Sequence, residues 1–224
     1  MSATSNTLLG KLLDMLYPPD VACALCGRET LLGNDRLCDI CRASLAPSPV
    51  LHCPPQLDGI VAAFRYAGAA RNGIRALKYQ GQARLAPFFA DAITIPPEWQ
   101  IDCVVPVPLH PLKRWLRSYN QSELIAEELC ARLRIPQQSS LLRRTRFTKS
   151  QTTLSGFERA KNVSQAFSAL PAVRGKSILL IDDVTTTHST LLACAIALRA
   201  AGAVRVYAAS ATAATHDSDR ESID

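Results

Sequence analysis

Two groups of residues in this chain have the types and the spacing to do chemistry. The first is Cys23-x2-Cys26 and Cys38-x2-Cys41, two close pairs separated by eleven residues. Each pair can form a tight knuckle that turns two thiolates toward one ion, and four thiolates complete a tetrahedron with no open position. The pattern predicts a structural zinc site. Its binding energy would be folding energy, roughly 10–16 kcal/mol in small zinc peptides. Residues 20–45 need such help, because they hold too few large apolar side chains for a core of their own. Two disulfides are the rival reading, opposed by the reducing compartment expected of a chain with no secretion signal. A Cys-x2-Cys redox pair is a second rival, opposed by the presence of two matched pairs.

The second group closes an apolar run. Ser177-Ile-Leu-Leu-Ile-Asp182-Asp183-Val184-Thr185-Thr186-Thr187-His188-Ser189-Thr190-Leu191 reads as a buried strand ending in two carboxylates, then a loop of hydroxyl residues, then a helix starting at Ser189 or Thr190. In open parallel sheets, ligands bind at the carboxyl ends of strands. Asp182 and Asp183 can accept hydrogen bonds from the two hydroxyls of a ribose. The loop and the helix N-terminus offer donors to its 5′-phosphate. The plainer alternative is an Asp-Asp turn with an ordinary Thr/Ser cap. Acids beside an anion site are unfavourable unless something between them needs acceptors, so the mixture speaks for a sugar phosphate. No GxxxxGK[ST] or GxGxxG loop occurs, which leaves a P-loop NTPase or a dinucleotide fold without support.

These groups need elements to hold them. A short helix is expected over residues 7–16, stopped by Pro18-Pro19, and a stiff linker over 46–56, which holds Pro47, Pro49, Pro54 and Pro55. A strand is expected from Gly59 to Arg65, then helices around Ile74 to Tyr79 and Leu85 to Ile93. Ile101 to Val107 reads as a buried strand closed by Pro106 and Pro108. Asn120-Gln-Ser-Glu123 looks like a capping box opening a helix with Ile125, Leu129 and Leu133 on one face. Ser189 to Ala201 reads as a helix stopped by Gly202, and Val204 to Ala211 as another strand. Continuous apolar strands separated by helices predict an α/β fold with a parallel sheet covered on both faces. Cys103, Cys130 and Cys194 fall within apolar patterns and read as core; Cys53 stands alone.

Composition narrows the classes further. Hydrophobic residues make up 48% and charged residues 20%, which fits a folded domain rather than a disordered chain. No apolar run reaches the roughly 18 residues of a bilayer span, so no membrane insertion and a cytoplasmic location are expected. The net charge of +6 is unevenly placed: from His110 to Gly175, twelve Lys or Arg face four Glu, a net of 12 − 4 = +8. Such a segment suits a polyanionic partner or, more plainly, a solvated basic face.

The segment from Asp182 to Thr190 resembles the phosphoribosyl pyrophosphate motif of type I phosphoribosyltransferases, two acids and a spacer before Thr-Thr-Gly-Ser/Ala-Thr. The whole chain resembles the ComF/GntX family, which couples a CxxC…CxxC module to such a domain. The likeness extends through Leu13-Asp-Met-Leu-Tyr-Pro-Pro19, Ile74-Arg-Ala-Leu-Lys-Tyr79, Val104-Val-Pro-Val-Pro-Leu-His110, Arg117-Ser-Tyr-Asn-Gln-Ser-Glu123, Arg143-Arg-Thr-Arg-Phe-Thr-Lys-Ser-Gln151 and Glu158-Arg-Ala-Lys-Asn162. It implies an N-terminal helix and zinc module over 1–45, a Pro-rich linker over 46–58, a phosphoribosyltransferase-like domain over 59–214 and a disordered tail over 215–224.

The resemblance also implies roles. Asp182 and Asp183 would hold the ribose hydroxyls, and Thr185, Thr186, Thr187, His188, Ser189 and Thr190 the 5′-phosphate. Pro106, Val107 and Pro108 would approach the pyrophosphate. Arg117, Lys149 and Gln151 would reach the ligand from a mobile loop. Magnesium would accompany phosphoribosyl pyrophosphate, and the reaction, if the chain is an enzyme, would be pentosyl transfer. Two positions depart from the family pattern: His188 and Ser118 stand where glycine is usual. The family association is with DNA uptake and competence. A different class of function is therefore also expected from the resemblance: a non-catalytic, zinc-containing adaptor for single-stranded DNA or a DNA-uptake helicase. For that role, Trp115 beside Arg114 and Arg117 is the best stacking candidate.

Overall fold

The computed structural model describes residues 22–30, 32, 37–109, 117–145 and 166–214. The helix expected over 7–16, the tail expected over 215–224, and Arg114, Trp115, Lys149 and Gln151 lie outside these residues.

Four parallel strands form the central sheet: β1 (Gly59–Arg65), β2 (Cys103–Pro106), β5 (Ser177–Thr185) and β6 (Arg205–Ala213), in the order β1-β6-β5-β2. β5 is central and pairs along its length with β6, which is equally long. It reads as a continuous apolar run because both of its faces are covered. Leu179 and Ile181 face one core, together with Val104, Tyr207 and Ala209, under helices α2 (Gly68–Tyr79), α3 (Ala86–Ala92) and α4 (Gln121–Leu133). Ile178 and Leu180 face a second core, with Val105, Val206 and Ala208, under α5 (Ser189–Ala200). All four β5 residues are fully buried, and burying an aliphatic side chain of this size contributes about 1.5–3 kcal/mol. A short antiparallel pair, β3 (Leu142–Arg144) and β4 (Phe167–Ala169), packs beside α5.

The segment after the cysteines is not a free spacer. Pro47 bridges to Phe64, Ser48 N–H donates to Ala63 O, and Arg65 N–H donates to Ala46 O, so residues 46–48 lie along the outer edge of β1. At its far end, Asp58 N–H donates to Val206 O, and the Asp58 carboxylate accepts from Val206 N–H and pairs with Arg199. Prolines suit such an edge, where a missing N–H costs no ladder bond.

Among the described residues the first helix, α1 (Asp39–Ser44), starts at Cys38 and packs against α2. A Cβ on Gly73 would stand 2.6 Å from Leu25 Cδ2 and 3.0 Å from Phe89 Cζ. Only glycine lets the cysteine-bearing segment approach α2 this closely. The cysteines share the α2–α4 core, with Cys23, Leu25, Leu37 and Cys41 buried in it.

Candidate functional site

Strand alternation sends Asp183 to the face covered by α2. There Lys78 Nζ lies 3.0 Å from its Oδ1, with the two side chains only 11% and 10% exposed. Burial opposes the charge on Lys78, but Asp183, then Asp182 and Tyr66, outweigh it and hold the ammonium above the usual lysine range. Asp182 Oδ1 accepts from Ser122 Oγ at 3.1 Å and from Asp183 N–H at 2.9 Å. Burial, then the Asp183 carboxylate, pushes Asp182 up to about 7 against the pull of Lys78 and those hydrogen bonds. Near neutrality Asp182 is therefore poised between a carboxylate that only accepts hydrogen bonds and a neutral acid.

The proline turn is tied to the same corner. Pro106 pairs with Ile181, and Val107 N–H donates to Ile181 O at 2.9 Å, one residue before Asp182. Asn120 donates through Nδ2 to Val107 O at 3.0 Å and caps α4 by accepting from Ser122 N–H at 3.2 Å. One buried asparagine thus joins the Pro106-Val107-Pro108 turn to the helix start that presents Ser122 to Asp182.

Beyond β5, His188 is the N-cap of α5 in a left-handed conformation (φ 60, ψ 0), and its carbonyl accepts from Leu192 N–H. Thr187 Oγ1 and Ser189 Oγ stand 2.5 Å apart. Thr185 Oγ1 and His188 Nε2 are buried without a hydrogen-bond partner. Asp182 and residues 184–191 enclose a hollow of about 40 Å³. That suits one small anionic group, well short of the roughly 300–1,000 Å³ that takes in a whole ligand. Orphaned polar atoms at a helix start are what a bound anion would satisfy. Burial, then nearby His52, keeps His188 below the usual imidazole range, so the ring is uncharged at neutral pH.

The structure therefore brings Asp182, Asp183, residues 185–190 and the proline turn together at one end of the sheet. Arg117 stands beside the start of α4, its guanidinium 4.7 Å from the Tyr79 ring centre, with Nη2 3.1 Å from Tyr79 Oη and Nη1 3.2 Å from Gln121 Oε1, and contacts neither aspartate. Three contributors were not picked out as site residues from the sequence: Lys78, Asn120 and Ser122. Lys78 had a readable signal, since it continues the spacing of Ala70 and Ile74, both fully buried, along one face of α2. The two glycine replacements, Ser118 (φ 64) and His188 (φ 60), both hold the left-handed backbone that glycine adopts freely.

The cysteines form a separate centre. The ligand atoms of Cys23, Cys26, Cys38 and Cys41 all lie within 4.8 Å of one another, an arrangement that could hold a metal ion. Cys26 Sγ and Cys38 Sγ are 3.8 Å apart, the separation that a tetrahedron with ~2.3 Å metal–sulfur bonds requires. A disulfide would need ~2.05 Å. Cys41 N–H donates to Cys38 Sγ at 3.4 Å. Burial opposes ionisation of Cys23, yet backbone N–H groups of Cys38, Cys26 and Leu25 bring it down to about 6. Burial and the neighbouring thiols drive Cys41 the other way. The first thiolate forms readily and further charge needs a cation. A larger hollow of about 550 Å³ lies between this centre and α2, beside Arg28, Ile40 and Arg75, away from the acid pair.

No family model matches the chain. DNA utilization protein YhgH of Escherichia coli is 30% identical over an alignment of 219 residues, covering 86% of this chain and 96% of the relative. The chain belongs to the ComF family. Competence protein F of Haemophilus influenzae is 36% identical over 93 residues, and the match spans 41% of that protein. The ComF domain here is built on the four-stranded parallel sheet, with the four-cysteine cluster packed on its α2 side. Among solved structures, B. subtilis glutamine phosphoribosylpyrophosphate amidotransferase with ADP and GMP aligns at 21% identity and TM-score 0.40, over 65% of this chain and 28% of that one. Among the described residues of this ComF chain, no helix is long and apolar enough to cross a membrane.

Proposed function

We propose that the chain binds a phosphorylated ribose, with phosphoribosyl pyrophosphate as the ligand class that fits, in the service of DNA uptake or utilisation. The observation that carries the reading is the junction of β5 and α5. Two adjacent carboxylates are followed at once by a hydroxyl loop whose buried Thr185 Oγ1 and His188 Nε2 have no partner. Asp182 and Asp183 accept from the ribose hydroxyls, and residues 185–190 donate to the 5′-phosphate. The Pro106–Pro108 turn lies against the pyrophosphate side. Arg117, Lys149 and Gln151 are the cationic and polar groups assigned to pyrophosphate.

In pentosyl transfer the C1′–pyrophosphate bond breaks through an oxocarbenium-like state. Magnesium, where bound with the ligand, would supply charge neutralisation to the leaving group, and Asp182 and Asp183 are the carboxylates that would hold it. The four-cysteine centre is assigned to structural zinc, which also fits a cytoplasmic location. The link to DNA comes from the relatives' printed names, competence protein F and DNA utilization protein.

Calorimetric titration of the metal-loaded protein with phosphoribosyl pyrophosphate and magnesium tests the reading. Micromolar binding is expected, lost in Asp182→Asn. That variant keeps an oxygen for Ser122 and Asp183 N–H and leaves the Lys78–Asp183 pair intact. Affinity should rise with pH through about 7, because the hydroxyl donors need Asp182 ionised. Absence of binding by the folded protein would favour the DNA adaptor reading. In that case, affinity for single-stranded DNA should fall steeply with salt.

A second expectation concerns His188. Holding a non-glycine residue in the left-handed region costs roughly 1 kcal/mol, and glycine would let the loop's backbone N–H groups close on the phosphate by more than the lost Nε2 contact weakens it. His188→Gly should raise Tm by a few degrees and tighten phosphoribosyl pyrophosphate binding. A weaker dissociation constant in the variant would rule the idea out.

A further inference from the structure

We infer that the hollow between the four-cysteine centre and α2 is a docking site for an acidic peptide segment of a partner protein, one that carries an aliphatic side chain among its carboxylates. The inference does not depend on the ribose-phosphate reading. The hollow measures about 550 Å³, within the roughly 300–1,000 Å³ that takes in a ligand. Residues of α1 and α2, which pack together, line it. Its floor is aliphatic, made by the buried Leu25, Ala69 and Ala76. Ile40 of α1 also lines it and is 64% exposed. A lone exposed aliphatic residue is ordinary, but this one borders a concave surface that is already apolar.

Charge says what enters. Arg28 and Arg75 line the hollow, and no Asp or Glu does. Among the described residues neither arginine has an ion-pair partner, whereas Arg42 pairs with Asp39 and Arg199 with Asp58. Two guanidinium groups above an aliphatic floor match carboxylates that flank an apolar side chain. Asn72 and Gln80, exposed on the α2 wall, can each give and accept a hydrogen bond, as an extended peptide backbone requires. No aromatic side chain lines the hollow, so the bases of a nucleic acid would have nothing to stack on. The aliphatic floor and the missing stacking surface together favour a peptide over single-stranded DNA.

The probe is a short fluorescent peptide, Asp-Glu-Asp-Ile-Glu-Asp, titrated into the full-length, metal-loaded protein and read by anisotropy. Binding should weaken at least about fivefold in Arg28→Glu/Arg75→Glu, and about tenfold when serine replaces the isoleucine of the peptide. Ile40→Ser should weaken the isoleucine peptide and leave the serine peptide unchanged. Thermal melting of each variant confirms that it is folded. A folded, metal-loaded protein that does not bind the peptide overturns the inference, and so does binding indifferent to the two arginines. A single-stranded oligonucleotide that displaces the peptide, and is itself weakened by the same charge reversal, would assign the hollow to nucleic acid instead. The chain's own sequence places Asp217, Asp219, Glu221 and Asp224 around Ile223. If replacing those four acids by their amides tightens binding of the peptide, the occupant is this segment rather than a partner, and the inference falls.

Discussion

Replacing Lys78 by methionine is expected to cost the fold about 3–5 kcal/mol at neutral pH, the penalty of stranding one partner of a buried ion pair. The pair is well placed for so large an effect. Lys78 and Asp183 are each about nine-tenths buried and 3.0 Å apart, and Asp182 lies next in the chain. Without the ammonium, two carboxylates share a corner with little water to screen them. Methionine keeps the length and the apolar stem, so lost packing contributes little. The raised folded value of Lys78 fixes the sign of the pH dependence. Its stabilisation is complete below the ordinary lysine value and fades as pH climbs past the elevated one, so the deficit should narrow in strong alkali. It should narrow in acid too, where Asp182, raised to about 7, takes a proton and leaves a single carboxylate in the corner. Urea midpoints across pH measure this, and Lys78→Met/Asp183→Asn should recover much of the loss. A double variant as unstable as the sum of its parts would mean that the two groups do not interact.

The second large effect is metal removal. Stripping the four-cysteine centre with a strong chelator, or replacing Cys38 by serine, should unfold residues 22–45, since structural zinc contributes roughly 10–16 kcal/mol in small peptides. The damage should not stop there. Ser44 Oγ accepts from Ala69 N–H, and Leu25 packs where a Cβ on Gly73 would stand. The cysteine segment therefore caps and wedges the helix that ends at Lys78 and Tyr79. Metal analysis should find one ion per chain, and its removal should lower Tm and abolish ribose-phosphate binding together. A metal-free protein that melts at the same temperature would sink the assignment.

Much of this arrangement is legible in the sequence, for identifiable reasons. β5 and α5 stand out because an unbroken apolar run, two acids and a hydroxyl cap are local signals. The left-handed backbone at Ser118 and His188 shows as departures from a glycine-bearing pattern. Other features are set by partners distant in the chain. α2 begins at Gly68, six residues before Ile74, where its sequence suggests a helix. Its own N-cap, Ala67, offers no side-chain acceptor, and Gly68 and Gly73 are poor helix formers. Ser44, twenty-five positions away, supplies the cap. Residues 46–58 read as a spacer because prolines signal stiffness, while backbone pairing with β1 leaves no trace in composition. The spacing of Ala70, Ile74 and Lys78 puts the lysine on the buried face of α2, but its partner is set only when the strand carrying Asp183 is laid across that helix.

The covered sheet edges bear on how this protein can assemble. Residues 46–48 occupy part of the outer edge of β1, and Val104 in β2 exchanges hydrogen bonds with Pro136 and Gln138 on its outer side. Among the described residues this leaves only short open stretches on either margin, poor templates for a foreign strand. Among the described residues, extending the sheet is therefore a poor route for a second copy or a partner, and helical faces, the β3–β4 pair and loops are the surfaces left for docking. Such surfaces can dock and release without disturbing the strand that carries the acid pair.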